Sequence, residues 1–480
     1  MIDNSKLLMI AAVFLGCAGL AAAIMNPALV SNTRYLSALV FLELIVASLW
    51  LYKDVFFLFL LLVFLWAGTG LPLREEMLIG RWVVLGVGAW AGVVVWLKGR
   101  HQHKFSTFHL VALFLALTAI LSSTVSSAPR AAMLKGVSLF LLFLYASFGA
   151  RAAFENQENR LLRILVYAFE YLTFASAIAY FVLRFEVFGN PNALGAVMGV
   201  VAIPILLWDV LTNQDKLFRT RRTLALILAG ALLFRSLSRA SILAAAVVVV
   251  LICLVLRERI FLARAAFVVV VALAFAGVVE PASFDRLVAS VTSDVLYKGK
   301  TEQAVYASRE RPWGQAVASL EQHPWFGSGF GTSENALDSS ADAVASNGDH
   351  REQGSSYLAL AVYLGFAGLL PFTILLILLG RKLVQTWLWV WRSGNFGHYC
   401  VPLASVVTAA LIHAVFEDWL TAPGFYLCVL FWPFAFALID FSPTPLTQPL
   451  AYAGLRRPGG TVIDPRFAPF PPRPGLERFR

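Results

Sequence analysis

The chain has 480 residues, 59% of them hydrophobic and only 14% charged, with a formal net charge of +10. Such a composition excludes an ordinary soluble globule. The basic excess sits in short segments between apolar runs and in the C-terminal tail, which suits an anionic membrane surface and gives no reason to expect nucleic acid.

Crossing a hydrocarbon core takes roughly 20 apolar residues, and runs of that kind recur along nearly the whole sequence. Backbone groups in lipid must be satisfied internally, so these runs are read as helices rather than the short alternating strands of a barrel. In chain order they predict about fourteen spans, near 7–25, 36–52, 55–72, 82–98, 107–123, 132–150, 163–183, 192–211, 223–237, 240–256, 260–279, 355–380, 400–417 and 423–442. The expected fold is therefore all-α, a polytopic membrane helix bundle of about 12–14 transmembrane helices. Met1 to Lys6, followed by the apolar run from Leu7, reads as the start of the first span, because no small-residue cleavage site precedes a soluble domain. Cys17, Cys253, Cys400 and Cys428 lie in or beside apolar runs without a CxxC pair, so neither a metal nor a disulfide is expected.

With Met1 in the cytoplasm, Lys98, Arg100, Lys104, Arg151, Arg160, Lys216, Arg219, Arg221, Arg222, Arg257, Arg259, Arg381, Lys382 and Arg392 all fall on the cytoplasmic side. The alternate short loops hold far fewer cations, so this orientation places both termini inside. It also places outside the polar stretch of about 70 residues, Pro281 to Gln353, that interrupts the apolar sequence, and loops of such length are functional or disordered. The chain thus divides into an N-terminal bundle (1–280), an extracytoplasmic catalytic loop containing short helices (281–353), a C-terminal bundle (354–442) and a basic, proline-rich cytoplasmic tail (443–480).

Polar groups at outward helix ends converge on the side of the long loop. Arg235 and Arg239 are four residues apart, hence expected on one helical face. A guanidinium near the hydrocarbon boundary lines a cavity or binds an anion, for which its planar fork suits phosphate, or else it snorkels to the interface. Asn190, Pro191 and Asn192 follow Phe188 and Gly189 and signal a helix start, either a plain N-cap or exposed backbone donors that hold an anionic group. Glu170 in mid-span, with His413, Glu417 and Asp418 near an outer helix end, are candidates for a polar cavity or for helix-packing pairs. Within the loop, Ser308 to Trp313, including Arg309 and Arg311, lead into Ala316, Val317 and Leu320 at helical spacing. A short amphipathic helix is expected there, followed by a tight aromatic and glycine-rich turn from His323 to Gly331.

The order Phe188-Gly189-Asn190-Pro191-Asn192, Ser238-Arg239-Ala240-Ser241, Arg309 with Trp313, His323-Pro324-Trp325-Phe326-Gly327-Ser328-Gly329, then Ser355-Ser356-Tyr357-Leu358 before Gly365 and Gly368, resembles the O-antigen ligase and polymerase family over about 185–380. The resemblance implies an integral membrane glycosyltransferase of the bacterial inner membrane, with its active site in a periplasmic loop. Its donor would be an undecaprenyl-diphosphate-linked glycan and its acceptor a glycan or lipid, without cofactor or metal. Arg239 and Arg309 would clamp the diphosphate; beside them Arg235 and Arg311 are read as further diphosphate contacts, and Asn190, Asn192, Tyr357 and the helix-end Glu417 as residues that line or position the cavity. The chain departs from the family at the base: a histidine commonly stands directly before the Ser-Ser-Tyr-Leu type segment, whereas here Glu352, Gln353 and Gly354 precede Ser355 and His350 is further upstream. Glu352 and His350 therefore both stand as catalytic bases. The alternative reading, a flippase for polysaccharide or lipid-linked precursors, calls for ionisable groups along a central path. Their gathering at the outer mouth favours the enzyme.

Overall fold

A computed structural model of the chain describes residues 33–51, 55–98, 105–188, 190–261, 263–264, 307–332 and 354–443. The expected span at 7–25, most of that at 260–279, much of the long loop with His350 and Glu352, and the tail lie outside the described residues. Every other expected span coincides with a helix, and no strand occurs among the described residues.

In chain order the helices are α1 (Thr33–Leu51), α2 (Phe56–Ala67), α3 (Arg74–Lys98), α4 (Thr107–Leu121), α5 (Pro129–Leu144), α6 (Arg151–Ala177), α7 (Pro191–Ala196), α8 (Ile203–Thr212), α9 (Lys216–Arg235), α10 (Arg239–Val255), α11 (Ala307–Gln322), α12 (Ser356–Ser393), α13 (Cys400–His413) and α14 (Tyr426–Phe441). π-helical turns extend α5 over Tyr145–Ala150 and α6 over Ile178–Val182, and a third, Val197–Ala202, joins α7 to α8. Six helical segments are long and apolar enough to cross a membrane, with shorter apolar helices beside them. The chain is thus a multi-pass helical membrane protein. α3 begins at Arg74 rather than near residue 82, because Glu75 and Glu76 start the helix where its dipole favours acids.

The segment Pro191–Thr212 is the axis of the bundle, 89% buried where the other long spans are half exposed to their surroundings. Small residues allow this: a Cβ on Gly195 would come within 2.4 Å of Ser236 Oγ, and one on Gly199 within 2.7 Å of the Ser241 carbonyl. Close backbone approach at small residues is how membrane helices gain packing when lipid offers no hydrophobic contrast.

Two ends of the bundle are distinguishable by what they gather. At one, here the loop end, residues 324–332 pack against Ser122 and Ser126 after α4 and against α12, near the 414–426 turn. At the far end, Glu170 is fully buried and paired with Arg221 and Arg222, and Arg222 also holds Asp209. Arg151 and His109 meet Asp440 at that same end, at 2.9 and 3.5 Å. Glu170 therefore belongs to a structural ion cluster about 18 Å down its helix from the loop end, twelve residues at 1.5 Å rise.

Candidate functional site at the loop end

α9 ends at Arg235 and α10 begins at Arg239, so the two arginines flank a turn instead of sharing a helical face. The expectation of one face fails because Ser236-Leu237-Ser238 ends the helix between them. Ser236 Oγ donates back to the Leu233 carbonyl at 2.6 Å and accepts from the Ser238 N–H at 3.3 Å, and Leu237 takes a left-handed φ of 51°. Ser238 and Ser241 bond through their hydroxyls at 2.8 Å, so the Ser-Arg-Ala-Ser motif is a buried serine clasp that fixes where Arg239 leaves α10. Arg235 is exposed and donates to the Tyr180 hydroxyl at 3.3 Å, its guanidinium 5.9 Å from the tyrosine ring centre.

Asn190 caps α7, accepting the Asn192 N–H at 2.8 Å, so that side-chain oxygen is engaged in starting the helix. The cap sits against the 68–73 turn, through Gly70 N–H to the Val187 carbonyl, and against Tyr426, whose hydroxyl donates to the Ala193 carbonyl.

The aromatic glycine-rich turn has a partner that its sequence did not disclose. α12 is broken at Gly365, with φ 57° and ψ −156°. The amides freed by the break are bonded by the loop: Phe366 N–H to the Pro324 carbonyl at 2.8 Å and Ala367 N–H to the Trp325 carbonyl at 3.0 Å. In return Ser328 and Gly329 donate to the carbonyls of Val362 and Tyr363. Non-helical backbone at membrane depth survives only when such bonds are made. Gly327 and Gly365 both have positive φ, and a Cβ on either would meet opposing backbone at about 2.5 Å, so only glycine fits this stitch. The motif is thus a docking strip that binds the loop to the broken helix, with Trp325 and Phe326 left exposed beside it.

α11 spans Ala307–Gln322 and carries Arg309 and Arg311 on its first turns, one helix before the docking strip. It starts earlier than the apolar spacing indicated, and of the apolar positions expected on one face Ala316 is buried whereas Val317 is exposed. At the start of α12, Ser356 Oγ donates to the Glu417 carbonyl at 2.7 Å and accepts the amides of Trp419 and Leu420. Glu417 and Asp418 are buried beside it, and Asp418 accepts from the Tyr363 hydroxyl at 3.3 Å. Tyr357 donates to the Leu411 carbonyl at 2.9 Å, which ties α12 to α13. His413 accepts the Trp419 indole N–H on Nδ1 at 2.8 Å, leaving the proton of a neutral ring on Nε2. No group of metal-ligating side chains occurs among the described residues.

Sequence reasoning passed over Arg81. It is buried in α3 at the loop end, donates to the Gly424 carbonyl at 2.7 Å and lies 4.9 Å from the Trp82 ring centre. A cation inside an apolar run was the available signal.

Arg235, Arg239, the α7 cap, α11, the docking strip and the start of α12 are therefore brought to one end of the bundle, while Glu170 is held at the other. No curated protein matches the chain. A family model described as O-antigen ligase matches residues 224–373, from within α9 to within α12, and so includes the serine clasp, α11 and the stitched break. This polytopic membrane protein is thus similar to the O-antigen ligase family over residues 224–373.

Proposed function

We propose that the protein transfers a glycan from a polyprenyl diphosphate to an acceptor hydroxyl at the periplasmic face of the inner membrane, without a metal. The family match over the serine clasp, α11 and the stitched break is the observation that carries this reading. In it, the acceptor oxygen attacks the anomeric carbon as the bond to the diphosphate breaks, and the acceptor proton passes to Glu352 or His350. Arg239 and Arg309, with Arg235 and Arg311 as further contacts, neutralise the charge that grows on the departing diphosphate. Charge-assisted bidentate contacts suit that task, and stabilisation of developing charge is commonly the largest catalytic term. Asn190, Asn192, Tyr357 and Glu417 act through the backbone they fix, keeping α7, α12 and the 417–420 turn in register.

The test is transfer from a purified lipid-linked oligosaccharide in proteoliposomes. Arg239→Ala and Arg309→Ala should each lower turnover about 100- to 1,000-fold, the size found for loss of one transition-state donor, while the protein stays monodisperse. Unchanged turnover in both variants rejects the clamp. Glu352→Gln and His350→Ala separate the bases, since only the true base should collapse turnover without weakening donor binding. Longer lipid-linked chains would mark a polymerase, and transfer to a non-prenyl acceptor a ligase.

A further inference from the structure

Beside Arg235 lies a cleft formed by the last turns of α6, the 185–190 turn and the start of α7, lined among others by Ser176, Tyr180, Phe185, Glu186, Asn190 and Arg235. Ser176 is 2% exposed and is one of the residues lining the cleft, and its hydroxyl has no hydrogen-bond partner among the described residues. One turn earlier, Thr173 returns its hydroxyl to the Phe169 carbonyl at 2.7 Å, the ordinary solution for a helix in lipid. Ser176 forgoes that bond, and an unsatisfied buried hydroxyl costs about 1–3 kcal/mol. A group entering the cleft would remove the cost. The free volume is about 30 Å³, room for one water or one inserted hydroxyl and too little for a buried ring.

The rim supplies the rest of a recognition set. Phe185 is 42% exposed and offers an apolar face, the exposed Glu186 carboxylate can accept hydrogen bonds from hydroxyls, and Arg235 and the Tyr180 hydroxyl can donate them. Glu186 repels a phosphate, and although Val187, Phe188 and Leu194 make much of the lining apolar, about 30 Å³ is too little room for a hydrocarbon tail. A carboxylate, a guanidinium, a hydroxyl-sized recess and an aromatic face together fit a polyhydroxylated ring lying across the mouth with one hydroxyl inserted towards Ser176. We propose that this cleft is a saccharide subsite, in which Glu186, Ser176 and Tyr180 hold one sugar of the donor or acceptor glycan next to the Arg235–Arg239 turn. The assignment rests on the transferase reading above only for the origin of the sugar.

Two measurements test it. In proteoliposomes, with donor and acceptor concentrations varied separately, Glu186→Gln and Ser176→Ala should each raise KM for one of the two glycans about 5- to 20-fold with kcat within about twofold, consistent with loss of one hydrogen bond to bound substrate. The substrate whose KM moves identifies the sugar's source. Saturation-transfer NMR, with the oligosaccharide released from the donor by mild acid, should show contact with wild-type protein and lose it in Glu186→Gln. That experiment contains no diphosphate and no turnover, so it decides the subsite even if the wild type transfers nothing and the transferase reading falls. Wild-type KM values for both glycans in both variants would overturn the proposal, as would absence of saturation transfer to the wild type. A cleft holding only water would show both.

Discussion

The two ends of the bundle hold their arginines differently. At the far end the carboxylates of Glu170, Asp209 and Asp440 are each met by arginine, inside helices and away from solvent. At the loop end, Arg235 leans on a tyrosine and Arg81 on a carbonyl and an indole, and the turn between Arg235 and Arg239 is held by serine hydroxyls. Paired buried charges fix a packing arrangement. Arg235, exposed at the surface of this end, stays open to an arriving group. Under the proposed function the far end serves stability and the loop end chemistry, and each half of that proposal can be broken separately.

The largest effect is expected at the far end. Glu170→Gln removes the carboxylate shared by Arg221 and Arg222, and breaking a buried pair by deleting one partner costs about 3–5 kcal/mol. Thermal unfolding in detergent should show that loss, while kcat per folded molecule stays near wild type. A variant as stable as wild type that has lost turnover would mean that charge at the far end is tied to the chemistry.

Gly365→Ala should come next. The alanine must hold a φ near 57° and place its Cβ 2.5 Å from the Pro324 carbonyl oxygen. The backbone strain alone is worth about 1–3 kcal/mol, and the cheapest relief is to release the 324–329 strip. Limited proteolysis should then cut within the strip and glycan transfer should fall, with the rest of the bundle still protected. If the strip remains protected, the stitch is not what holds the loop.

These two positions also show what was readable in the sequence. Span positions followed from run length because lipid forces each apolar run into a helix, and the glycine-rich turn announced itself by composition. The partner of that turn did not, since Gly365 is one glycine in an apolar helix of 38 residues, and only the approach of Pro324 and Trp325 makes it a break. Glu170 was visible as a buried acid, but its partners lie 51 and 52 residues away in sequence, and nothing local joins them. The four-residue spacing of Arg235 and Arg239 misled because it presumes a continuous helix, and two serines and a left-handed leucine intervene. At the site itself, the Arg-bearing turn and the α7 cap were found from residue type, whereas Ser176 carried no signal at all: an unpartnered hydroxyl is a fact of packing.

The smallest effect tests whether the α12–α13 connection, beyond the last turn of α12, follows the far-end rule of stability. His398 accepts the Cys400 N–H on Nδ1 at 3.2 Å, with its ring 4.3 Å from Tyr399 and 5.0 Å from Trp389. Burial among these groups lowers its pKa from 6.5 to about 4. Between those values the unfolded chain binds a proton that the folded chain refuses. The neutral ring's contribution is therefore complete above pH 6.5 and is lost as the pH falls towards 4, at no more than about 1.4 kcal/mol per pH unit. His398→Gln cannot titrate and should lack this slope, so melting temperatures of wild type and variant should converge as the pH drops from 7 to 5. Parallel curves would show that His398 is protonated as easily in the folded protein as in the unfolded one, and the connection would then contribute packing without pH dependence.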